Sequence, residues 1–163
     1  MKKILFVFSV SFLVAFIACR ETEKKPEESK LTRKAQADSL EKEVEEGHNI
    51  AMAKYMKIPG LQKEIKRLAD SIGKLPAKAQ EAAAPYKAKL ESLNKELGDA
   101  YSSMENWMET FGHRLEELDQ ESLKDSLDQR IKFFSEEKIK MNNVKEAVLE
   151  SVKKADALIK EKF

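Results

Sequence analysis

The chain has 163 residues, with 30 Lys plus Arg against 29 Asp plus Glu and a formal net charge of +1. That balance excludes the basic excess that drives nucleic-acid binding. A single cysteine excludes an internal disulfide, so the fold must be held by packing, and five glycines and four prolines leave room for long helices.

The chain opens Met1-Lys2-Lys3 and then runs apolar from Ile4 to Ala18, broken only by Ser9 and Ser11. A basic start, a hydrophobic stretch and a small residue at its end form a secretory signal. The run is shorter than the roughly 20 apolar residues of a membrane-spanning helix, and charges from Arg20 onward follow it at once. Residues 16–19, F-I-A-C, resemble the lipobox of bacterial lipoproteins. That resemblance implies cleavage after Ala18 and a diacylglycerol on the Cys19 thiol, with the new amino group acylated as well. Two or more acyl chains make a firm membrane anchor, where one is marginal. Arg20 follows the cysteine where an inner-membrane retention signal would carry Asp, so the outer membrane of the cell envelope is the expected location, with the leaflet left open. Without Lys2 and Lys3 the mature chain carries 28 basic against 29 acidic residues.

Residues 20–30, RETEKKPEESK, hold no apolar side chain but Pro26 and read as a disordered tether. From Leu31 the pattern changes. Leu40, Val44, Gly47, Ala51, Tyr55, Ile58, Leu61, Ile65, Leu68, Ile72 and Leu75 recur at spacings of three and four, which is one helix face. Gly73 and Pro76 frame a turn, and Pro59-Gly60 predicts a kink within this first arm. The second arm carries Tyr86, Leu90, Leu93, Leu97, Tyr101, Met104, Met108 and Phe111, with Pro85 near its start and Phe111-Gly112 as its expected end. The third carries Leu127, Ile131, Phe134, Lys138, Met141, Lys145, Val148, Val152, Ala155 and Ile159, a seam with two lysine lapses. Short connections make neighbouring arms antiparallel. The expected fold is therefore all-α: an elongated, coiled-coil-like, up-down-up antiparallel three-helix bundle over 31–163. Its helices span about 31–73, 77–111 and 121–162, behind a signal peptide (1–18) and a lipidated tether (19–30).

Several stretches carry a further resemblance: H-N-I-A-M-A-K-Y-M at 48–56, A-Y-S-S-M-E-N-W-M-E-T-F at 100–111, S-E-E-K-I-K-M-N-N-V-K at 135–145 and S-V-K-K-A-D-A-L-I-K at 151–160. Together they resemble small helical lipoproteins of Bacteroidota-type bacteria, often labelled "viral A-type inclusion protein", over most of residues 45–160. The resemblance implies a helical fold and an envelope location. It supplies no catalytic residues.

Enzyme motifs are scarce: no G-x-S-x-G, no Gly-rich phosphate loop, no H-E-x-x-H. Glu45 and His48 make one E-x-x-H pair, and a di-iron bundle needs two. No catalytic residue or cofactor is assigned, and a non-enzymatic role is expected. Two readings of function remain. Residues 50–58, I-A-M-A-K-Y-M-K-I, are apolar nearly all round, and a helix of that kind needs cover on every side. Ile50, Ala53, Met56 and Trp107 are thus the candidate surface for an envelope protein partner or a second copy. Alternatively, folding the chain back about Leu75-Pro76 sets His48 opposite Ser103-Met104. His48, Met52, Met104 and Met108 would then share a zone beside Trp107, a donor set that suits Cu(I). Methionines at helical spacing also fill cores and pack on aromatics, the competing reading of the same residues. Folding back about Glu116-Glu117 sets Met141 near Ser92, away from that zone.

Overall fold

The computed structural model describes residues 26–120 and 126–161; the signal, Cys19 and most of the tether lie outside them. Four helices follow in order: α1 (Pro26–Tyr55), α2 (Ile58–Ile72), α3 (Ala77–Leu118) and α4 (Leu127–Leu158), with no strand among the described residues. α1 and α2 together form the first arm, so the three-arm, all-α bundle is as expected. At 1.5 Å per residue, the 42 residues of α3 run about 63 Å.

The kink falls at Met56-Lys57, just ahead of Pro59. A proline has no N–H for the carbonyl four residues back, here that of Tyr55, and its ring crowds that turn. The backbone responds with a tighter bond from the Lys57 N–H to the Lys54 carbonyl at 2.9 Å, and α2 restarts with Pro59 in its first turn. The break also changes the arm's neighbour. α1 lies mainly on α4, whereas α2 lies mainly on α3.

Register follows from named contacts. α1 and α4 run parallel: Arg33 pairs with Asp128, Glu43 with Lys138, and Gly47 faces Met141. α3 runs antiparallel to both. Tyr55 stacks on Tyr101 with ring centres 4.5 Å apart, and Gln62 donates to the Asn94 carbonyl. At the far end the Tyr86 hydroxyl donates to the Leu158 carbonyl at 2.9 Å, and Lys154 meets Glu96. The core is one continuous seam, with Ile58, Ile65, Ile72, Leu90, Leu97, Met104, Phe134, Met141, Val148 and Val152 at its centre.

Four expectations need correction. α1 begins at Pro26, so the last part of the expected tether is helical. Gly112 does not end the second arm: α3 passes through it to Leu118, because Phe111, Leu115 and Leu118 continue the apolar period. Pro85 lies inside α3 rather than at its start. The third arm's helix ends at Leu158, short of 162, and its expected start at 121 falls on residues outside the described ones. With α3 running on to Leu118, α4 lies further along it than expected: Trp107 meets Glu137, and Met141 faces Gly47 rather than falling near Ser92.

Candidate functional site

The break in the first arm leaves α1 and α3 splayed near the end of the bundle where the tether enters. A cleft of about 280 Å³ opens between them. Its walls are Val44 and His48 of α1, Trp107, Met108, Phe111 and Leu115 of α3, and Phe134 of α4, with the carboxylates of Glu41 and Glu45 at the rim. Aromatic rings build the floor: the Trp107 and Phe111 centres are 4.9 Å apart, and His48 leans on Trp107 at 5.6 Å. His48 is therefore opposite Trp107, not Met104, because the first turn is centred further along the chain than Leu75-Pro76.

Behind the floor lies a feature the sequence did not announce. Glu137 is 1% exposed. Its carboxylate accepts from the Trp107 Nε1 at 3.0 Å, from Lys140 Nζ at 2.9 Å and from Arg114. Arg114 also reaches Glu136 at 2.9 Å and lies over the Phe133 ring at 5.1 Å. This arginine holds the Glu136 carboxyl below its ordinary range. Three donors on one buried carboxylate offset the cost of removing it from water. In the sequence Glu137 is one of many acids among lysines. The signal that could have found it is its spacing, three after Phe134 and four before Met141, on the seam that was read through Lys138. Lys138 instead turns outward to Glu43.

The sequence-derived site residues separate. Ile50 and Met56 are exposed, at 52% and 70%, and Ala53 between them is exposed too. Trp107 does not belong with them: it is buried, with one ring face on Phe111 and its N–H on Glu137, so it supports the core from inside. Of the soft-metal set, His48 and Met108 line the cleft, Met104 is sealed in the core, and Met52 is half-buried without lining the cleft. Met104 pairs in register with Met52 rather than with His48. Among the described residues, no three His, Cys, Asp or Glu side chains gather as a metal site, and no helix is long and apolar enough to cross a membrane.

No protein-family model matches the chain, and neither a curated protein nor a solved structure does.

Proposed function

We propose that the protein is a lipid-anchored envelope lipoprotein, of the small helical Bacteroidota type, acting as a non-enzymatic helical interaction module. The observation that carries this reading is the exposed apolar row Ile50-Ala53-Met56, which runs along the outer side of α1 and ends at the break after it. Residues three apart form a continuous ridge on a helix, and a ridge of this kind packs into a groove of another helix. Self-association is its simplest form. Acylated Cys19 would hold every copy at one height above the membrane, so the α1 rows of two copies would meet side by side about a twofold axis. Confinement to a surface raises their effective concentration. The soft-metal alternative is less economical, since Met104 would have to leave a closed core to reach a metal beside His48.

The test is a cysteine at Ala53 in the full chain, expressed in the native envelope. Ala53→Cys should give a disulfide-linked dimer, a cysteine at exposed Glu146 should not, and Met56→Glu should abolish the crosslink. A crosslink to a different protein would replace self-association with a second envelope partner. No crosslink at all, together with unchanged behaviour of Met56→Glu, would remove the row from function.

A further inference from the structure

The cleft between α1 and α3 is separate from the outer row of α1, and its chemistry is specific. Six of its nine lining side chains are apolar or aromatic: Val44, Trp107, Met108, Phe111, Leu115 and Phe134. The other three are Glu41, Glu45 and His48, and Arg130 adjoins the cleft, its guanidinium 5.5 Å from the centre of the Phe134 ring. Glu41 is engaged by Arg130, whose Nη2 lies 3.3 Å from its carboxylate. Glu45 has no ion pair or hydrogen bond among the described residues. A carboxylate at the mouth of an aromatic-floored cleft complements one kind of small molecule, with an apolar body for the floor and a positive head for the rim.

We propose that this cleft binds a compact organic cation, an aryl or alkyl amine or quaternary ammonium, with its body against Trp107 and Phe111 and its head beside Glu45. At about 280 Å³ the cleft falls just under the usual range of small-ligand sites, which begins near about 300 Å³, so the ligand is of fragment size. Aromatic faces attract a cation directly, through the negative potential above the ring. Burying the apolar body supplies the rest of the binding, and the single free carboxylate selects the sign of the head. The inference does not depend on the α1 row: a monomer would retain the cleft.

Trp107 is the only tryptophan in the chain and lines the cleft, so its emission reports occupancy without a label. The test uses the chain from Arg20 onward, which keeps all the described residues and so the whole core they form, from Ala37 on. Phenylpropylammonium, phenylpropanol and phenylpropionate share a body and differ in the head. The ammonium compound should change Trp107 emission saturably and bind more tightly than the alcohol, with the carboxylate weakest. Glu45→Gln should weaken the ammonium compound by about threefold and leave the alcohol unchanged, as expected for a partly solvated ion pair. Glu146→Gln, at an exposed acid away from the cleft, should change neither. No saturable change, equal binding of the three heads, or a Glu45→Gln chain that binds the cation as before would each overturn the proposal. Glu45 is exposed, so its substitution is not expected to unfold the chain, and a helical melting curve for each variant checks this.

Discussion

Among the described residues Glu137 is the one buried acid, and it sits inside the seam. Trp107 and Arg114 approach it from α3 and Lys140 from its own helix, so it ties α4 to α3 at one register. Arg114 and Lys140 keep 31% and 47% of their side-chain surface in water and can turn outward when the carboxylate is removed, whereas the Trp107 N–H cannot. Glu137→Ala should therefore cost about 2–3 kcal/mol, the range for an orphaned buried donor plus a lost charged hydrogen bond. Glu137→Gln keeps an acceptor for Trp107 and should cost less, about 1 kcal/mol. Urea unfolding of both variants, followed by helical circular dichroism, measures the difference, and equal costs would show that the charge, not the Trp107 contact, is what matters. The tyrosines give a second residue-scale expectation. Burial pushes the Tyr55 and Tyr86 phenols above their ordinary value of about 10; the Tyr101 hydrogen bond and the Glu105 charge add to the effect at Tyr55, and the Glu161 charge at Tyr86. Groups whose folded value is raised stabilise the fold fully below the unfolded value and lose that contribution as pH climbs through the folded one. Stability should thus fall as pH rises above about 10, and the fall should be shallower in a Tyr55→Phe/Tyr86→Phe chain. Matching slopes in the two chains would assign the alkaline loss to other groups.

The helices show what the sequence made legible and what it did not. The spacing of three and four over Val44 to Ile72 and over Tyr86 to Phe111 was sufficient for the arms, because core packing demands that period wherever a long helix buries one face. Helix ends were less legible. Gly112 resembles a terminator, yet it has no positive φ, and a β-carbon there would meet nothing within 4 Å. It is an interior glycine retained in a helix that tertiary packing continues through Leu115 and Leu118. Gly112→Ala should then raise stability by about 0.5–1 kcal/mol, the propensity gap between the two residues in a helix interior. Gly47 is the opposite case: a β-carbon there would lie 3.1 Å from Met141 Cγ, so the buried Met141 side chain would have to give way by a few tenths of an ångström. Gly47→Ala should lose about 1 kcal/mol, as modest overpacking does. The two substitutions are chemically identical, and opposite shifts in the urea midpoint would confirm that α3 is continuous while α1 and α4 are in close contact. Two shifts of the same sign would contradict one of those placements. The candidate site was only half legible, for a related reason. An apolar pattern names the residues that leave water, but not which two helices splay apart. The first turn, centred beyond Leu75-Pro76, sets His48 opposite Trp107 and leaves Met104 level with Met52.

At the scale of the whole molecule, the position of the anchor relative to the folded part determines what each surface can reach. α1 and α4 begin at the same end, where Arg33 meets Asp128 and Arg130 meets Asp119, and the cleft lies toward that end. Six residues lie between Cys19 and Pro26, so the seven steps from one to the other reach at most about 25 Å when extended. A lipid on Cys19 would therefore keep the cleft end of the rod near the membrane and send the turn between α2 and α3 outward. Among the described residues burial begins at Ala37, and the stretch after Cys19 in the sequence is charged rather than apolar. Cys19→Ala should consequently leave the urea midpoint of the helical domain unchanged while abolishing acylation and retention at the membrane. Cells expressing the two chains, fed a clickable fatty acid and then fractionated, give the measurement. Label and membrane retention should follow the cysteine and disappear with alanine. Equal labelling of both chains, or no label on the native one, would disprove the anchor and leave the α1 row without the surface that aligns it.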